Sequence, residues 1–280
     1  MVFEIFSYSF MQRALLAALF AGICCSLMGV FIVSMNVSAM TVAISHAAFT
    51  GAILGLLLGA NPLLLALVFS LFTAMIVGPL AERGELNPDT VVGVMFSLML
   101  GLGFLFIGLI EGPRTEALAV LWGSILTVNW TELIVMISLT LTIIVFIVFF
   151  FKEIKAVIFD REIAMAAGVP AQIIFYTSLF LTGSTIAVSL RPVGGLLVFA
   201  LMINPAATAY QLTNRLDRIF ILSMFIGSSC CFFGLFLSYF FDLYSGATIV
   251  VLSVAVFMTA TILAPKKKVK EVKKVKGVTT

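Results

Sequence analysis

The sequence predicts an all-α polytopic membrane protein of about nine transmembrane helices, and three observations carry that prediction. Of its 280 residues, 62% are hydrophobic and only 10% charged, whereas a water-soluble domain is roughly half apolar and about a quarter charged. Mean hydropathy is +1.23. Between Ala14 and Ala81 there is no Asp, Glu, Lys or Arg, a length that holds roughly three helical crossings at about 20 residues each. A soluble enzyme is thereby excluded.

Uncharged apolar runs bounded by Gly, Pro, Asn or charge define the spans in order. The first, Ala14–Val33, follows the acidic Glu4 and lacks a small-x-small cleavage signal, so it reads as a span and not as a cleavable leader. Ser34, Asn36 and Ser38 mark a turn before Thr41–Leu58, and Asn61-Pro62 separates that run from Leu63–Leu80. A charged stretch ending at Asp89 precedes Thr90–Ile110, and Glu132 opens Leu133–Phe151. After the loop Lys152 to Pro170 come Ala171–Leu190, Val193–Tyr210, Ile219–Phe241 and Ala247–Leu263. The seventh run contains Asn204-Pro205 and persists as a helix only where neighbouring helices satisfy the freed backbone groups, which predicts a packed bundle. Cys24-Cys25 and Cys230-Cys231 are adjacent pairs inside apolar runs; they read as small buried hydrophobes and form no disulfide framework or zinc motif.

Lys and Arg set the orientation. With the C-terminus cytoplasmic, the inside segments carry thirteen basic residues: Arg83; Lys152, Lys155 and Arg161; Arg215 and Arg218; and seven lysines from Lys266 to Lys276. The outside keeps Arg13, Arg114 and Arg191. That bias puts the tail inside and, with an odd number of spans, the N-terminus outside. Even without the tail the ratio is six to three. Residues 1–265 thus form one transmembrane unit, and 266–280 form a lysine-rich cytoplasmic tail that reads as a solvated end held near anionic lipid headgroups. Nucleic acid is not a partner, because aromatic interleaving is absent.

The chain has no phosphate-binding GxxxxGKS/T loop and no HExxH, and its single histidine excludes a multi-histidine site within one chain. It does not hydrolyse ATP itself. Asp89, Glu132 and Asp242 fall at span ends, so the buried carboxylate that marks a proton- or sodium-coupled carrier is missing. Three features remain. His46 is the only ionisable side chain deep in a span; it reads either as a ligand for a divalent transition metal or as a packing residue among Ser45, Ala47, Ala48 and Gly51. The segment FDREIAMAAG, Phe159–Gly168, has an acid to cap a short helix (Asp160), another in its first turn (Glu162) and a glycine stop, and reads as a surface helix that is either a connector or docked in a partner's groove. Asn204-Pro205 places an amide and a backbone break in mid-span, for packing or for lining a path.

At these motifs the sequence resembles the metal-ion permease family of ABC importers, the membrane subunits that take up zinc, manganese or iron. The resemblance runs through FMQRALLAALFAGICCSLMGVFIV (Phe10–Val33), ISHAAFTGAILGLLLGANP (Ile44–Pro62), LWGSIL (Leu121–Leu126), FDREIAMAAG, VGGLLVFALMINPAATA (Val193–Ala209) and SGATIVV (Ser245–Val251). It implies a homodimeric permease of the prokaryotic inner membrane with no resident cofactor, the divalent metal being its cargo. It also implies a separate ATPase subunit docked on a coupling helix around Phe159, Asp160, Glu162, Ala164 and Gly168, and an external or periplasmic metal-binding protein that delivers the ion. Family members commonly carry an aspartate one turn before the histidine; here Val42 stands in its place, and Ser124 replaces a second usual acid. His46 is then the implied metal residue, with Met40, Thr41, Ser45 and Asn204 as weaker helpers, and the loss of a hard oxygen ligand weighs against manganese more than zinc. The rival readings are a permease for a metal chelate or vitamin-like cargo and a non-transporting membrane scaffold.

Overall fold

The computed structural model describes residues 9–82, 88–111, 115–123 and 128–263. Twelve helices follow one another: α1 (Ser9–Ser34), α2 (Ser38–Leu57), α3 (Pro62–Glu82), α4 (Pro88–Leu109), α5 (Thr115–Trp122), α6 (Trp130–Phe149), α7 (Phe151–Phe159), α8 (Arg161–Ala166), α9 (Ala171–Val193), α10 (Gly195–Leu212), α11 (Leu216–Phe241) and α12 (Ser245–Leu263). No strand occurs among the described residues. Hydrocarbon offers no partner for N–H or C=O groups, so each apolar run closes its own hydrogen bonds as a helix.

Among the described residues eight helices, α1 to α4, α6, α9, α11 and α12, are long and apolar enough to cross a membrane. The other expected span, Val193–Tyr210, is the 18-residue helix α10. The expected break at Pro205 does not end it, and α10 runs on to Leu212. Thr208 donates to the Asn204 carbonyl at 2.6 Å, and the Asn204 amide donates to Ser253 Oγ on α12 at 2.8 Å, so the motif ties two helices together. Asp89 and Glu132 fall in the first turns of α4 and α6, and Asp242 caps the C-terminus of α11 in a left-handed conformation.

Helix α1 is the central strut, buried along most of its length against α10, α11, α9 and α6. Small residues permit the closest crossings. A Cβ at Gly29 would lie 1.8 Å from the Met202 carbonyl oxygen of α10, and one at Gly22 would lie 2.7 Å from the Gly227 carbonyl oxygen of α11. All four cysteines are free and buried; Cys25 Sγ lies 3.5 Å from Ser189 Oγ, so the thiols serve packing as expected. Buried Ser and Thr hydroxyls on α9 donate to carbonyls one turn back, Ser178 to Ile174 and Thr182 to Ser178, each at 2.8 Å, which satisfies them without a partner helix. Large apolar side chains such as Met75, Phe104, Val148 and Phe233 stay exposed on the outer helices, where lipid would cover them.

Two ends of the bundle can be told apart. At one end, the α1–α2 and α10–α11 turns meet α7 and α8. At the other, Glu132 completes a capping box with Asn129 and pairs with Arg191 near the end of α9. Helix α5 was not foreseen as an element. It leads into Gly123, where the backbone at φ +69° approaches the α9–α10 junction so closely that a Cβ would lie 2.3 Å from the Gly194 nitrogen. The LWGSIL and VGG motifs, about seventy residues apart in sequence, are thus two sides of one backbone contact.

Candidate functional site

His46 lies in the third turn of α2, half-buried and beside α4. Its Nδ1 is 2.9 Å from the Val42 carbonyl oxygen. A carbonyl only accepts, so Nδ1 carries the proton, and in the neutral ring Nε2 keeps its lone pair. The Phe96 ring of α4 meets the imidazole edge-on, with centroids 4.6 Å apart and planes at 78°. The backbone bond and the aromatic contact together fix the ring, as the supporting partners of a metal-binding histidine do. Nothing in the sequence singled out Phe96, because an aromatic residue in an apolar helix carries no signal of what it will touch.

The expected helpers sit differently. Met40 is buried in a small apolar cluster with Ala43, Val77 and Val92. Thr41 and Ser45 are buried, and their hydroxyls donate to the carbonyls of Ser38 and Thr41 on their own helix. Each hydroxyl oxygen keeps a lone pair, but neither side chain shares a hydrogen bond with His46. Asn204 is engaged with Ser253 on the α12 side of α10. Among the described residues no three His, Cys, Asp or Glu side chains are placed to hold a metal ion together. Within one chain, then, His46 is a single strong nitrogen donor with weak oxygen donors near it in sequence, and Val42, half-buried one turn earlier, offers no ligand.

The second region is the surface formed by α7 and α8. Helix α7 is amphipathic: Ile154 and Val157 are buried, while Lys152 and Lys155 are exposed. It ends at Asp160, whose Oδ1 accepts from the backbone nitrogens of Glu162 and Ile163 at 2.9 and 3.0 Å and starts α8. An acid there also faces the positive end of the helix dipole. Gly168, at φ +83°, closes the unit as the sequence signals require. Ala164 is buried against the bundle and anchors α8, whereas Phe159 and Ile163 are 87% and 61% exposed. These two apolar side chains border a groove of about 830 Å³ whose far wall is Tyr210, Asn214, Arg215 and Asp217 from the α10–α11 turn. Arg215 holds Asp217 through two bonds, Nη2 to Oδ2 at 3.0 Å and Nε to Oδ1 at 3.3 Å. Ile163 and Tyr210 were missed in the sequence; only the fold shows that Ile163 is exposed beside Phe159 and that Tyr210 lines the groove. Ser124 and the tail 266–280 lie outside the described residues.

The site thus consists of a groove rimmed by exposed apolar residues at one end of the bundle and one half-buried imidazole. The model of the ABC 3 transport family matches residues 7–264. The chain belongs to that family. It is the membrane-spanning permease subunit of an ABC importer, and ATP hydrolysis falls to a separate ATPase subunit. It is 32% identical over 266 residues to the manganese transport system membrane protein MntC of Halalkalibacterium halodurans, covering 95% of this chain and 91% of the relative. The chelated iron transport system membrane protein YfeD of Yersinia pestis is 30% identical over 271 residues, covering 97% and 91%. The solved structure of PsaBC from Streptococcus pneumoniae in complex with Fab superposes with a TM-score of 0.85 at 32% identity, over 95% of this chain and 97% of that one.

Proposed function

We propose that the permease carries a divalent transition metal ion inward across a prokaryotic cell membrane, and that the ion passes His46. The reading is supported by the one deeply placed imidazole, whose proton is held on Nδ1 by the Val42 carbonyl so that Nε2 is the donor. Relatives named for manganese and for chelated iron support the same cargo class. With Val42 in place of a carboxylate, His46 is a weak transit site, which suits a permease that must release its cargo; selectivity then rests on an external metal-binding protein that delivers the ion.

In this reading two copies of the chain form a homodimer around one path, each with its N-terminus outside and its C-terminus in the cytoplasm. The ATPase subunit seats against Phe159, Ile163 and the groove behind them, with Asp160, Glu162 and Gly168 shaping the helix it meets and Ala164 anchoring it. ATP binding then switches the paired bundles between outward and inward openings. A second reading, in which the metal moves as a chelate, is favoured by the lack of a second strong ligand beside His46. The test is ATP hydrolysis by the reconstituted complex with its delivery protein, loaded in turn with Mn²⁺, Zn²⁺, Fe²⁺ or a ferric chelate. Stimulation by a free divalent ion supports the ion reading; stimulation by the chelate alone overturns it.

A further inference from the structure

Tyr210 stands where two regions meet. Its ring lines the groove beside α7 and α8, and its hydroxyl is hydrogen-bonded to Ser34 Oγ, the last residue of α1. Ser34 Oγ also bonds the Val30 carbonyl. The carbonyl can only accept, so it takes the one serine proton, and Tyr210 must be the donor to Ser34.

Beyond Ser34 the chain turns at once. Met35 N–H bonds the Phe31 carbonyl at 2.9 Å, Asn36 adopts φ +56°, and Val37 N–H returns to the Ile32 carbonyl at 3.1 Å. Helix α2 begins at Ser38 and reaches His46 about two turns later. Helices α1 and α10 also pack closely further along, where a Cβ at Gly29 would lie 1.8 Å from the Met202 carbonyl oxygen. One hydroxyl therefore joins the wall of the groove to the turn that launches the histidine helix.

We infer that the Tyr210–Ser34 hydrogen bond transmits the state of the groove to the α1–α2 turn, and that Tyr210 is a positioning residue for His46. The inference rests on the assignment of the groove to the ATPase. Tyr210→Phe is a clean probe, because the ring stays in the groove and Ser34 keeps its bond to Val30.

The experiment uses the complete complex with its ATPase in nanodiscs, comparing basal with metal-stimulated ATP hydrolysis, with Mn²⁺ and Zn²⁺ as probes. Ser34→Ala, which lies outside the groove lining, should co-purify with the ATPase and keep basal hydrolysis, and Tyr210→Phe is read as the ratio of stimulated to basal hydrolysis in the complex that forms. Each should lose roughly tenfold of the stimulated rate, the upper end of what one hydrogen bond contributes. The double variant should be no worse than either single one, since both remove the same bond, and Ser34→Thr, which keeps a hydroxyl, should restore stimulation. Wild-type stimulation in both single variants, additive losses in the double, or loss of ATPase binding by Ser34→Ala would each overturn the inference. Ile163→Asp separates the two claims: if it retains the ATPase, the groove assignment fails, whereas stimulation surviving in Tyr210→Phe with the complex intact defeats the transmission alone.

Discussion

Placing a carboxylate at position 42 probes the proposed metal site most sharply. Val42 is half-buried one helical turn before His46, and its carbonyl already accepts the Nδ1 proton. In Val42→Asp the new carboxylate lies on the same helix face as the imidazole. Without metal it is an unpaired acid within a membrane span, which costs about 2.5 to 3.5 kcal/mol on insertion scales. A metal held at a hundred times its dissociation constant returns about 2.7 kcal/mol. The two effects nearly cancel, so the variant should melt well below the parent after chelation and recover most of the difference when Mn²⁺ is added. The parent, with one imidazole, should respond less to Mn²⁺ than to Zn²⁺, because manganese favours oxygen ligands. Thermal unfolding of the purified complex in nanodiscs, metal-free and with each ion, measures all six states. A variant destabilised equally with and without metal would show that positions 42 and 46 do not share a metal face.

Three further outcomes follow from the packing. Asp160→Ala removes both cap bonds of α8 and should cost about 0.5 to 2 kcal/mol of local stability, seen as faster amide exchange in residues 161–166 and weaker ATPase binding. Gly123→Ala adds a Cβ 2.3 Å from the Gly194 nitrogen at φ +69°, so it should lower thermal stability by at least the 1 to 3 kcal/mol typical of overpacking; Gly93→Ala, with nothing within 4 Å, is the control and should leave stability unchanged or slightly raised. In a background lacking the four native cysteines, Glu111→Cys should react with impermeant maleimide from outside and Phe159→Cys only after permeabilisation; labelling of both from one side would refute the proposed orientation.

Much of the fold is legible in the sequence because hydrocarbon leaves a polar backbone few options. A run of twenty apolar residues bounded by Gly, Pro or charge must be a helix, and Ala171–Leu190 or Ile219–Phe241 needed no further information. The surface helix was also readable, since Asp160 and Gly168 are local signals that act within a few residues. Contacts between distant segments were not readable. Helix α5 and its Gly123 contact depend on a meeting with Gly194, and the Phe96 contact with His46 depends on how α4 leans on α2. Asn204-Pro205 looked like a break because proline removes a hydrogen bond, yet α10 runs through it, with Asn204 tied to Ser253. At the candidate metal site the histidine was legible as the only ionisable group deep in a span, while the orientation of its ring depended on the Val42 carbonyl and could come only from the structure.

Metal uptake by His46→Ala decides whether the ion passes the imidazole. The complex, with its ATPase and loaded delivery protein, is placed in proteoliposomes, and ATP-dependent accumulation of Mn²⁺ or Zn²⁺ is followed beside the parent. Co-purification with the ATPase and the melting temperature are checked on the same preparation. Uptake should fall to background level with the complex intact and its stability close to the parent's. Uptake at the parent's rate would contradict the proposed path and leave His46 as a packing residue against Phe96.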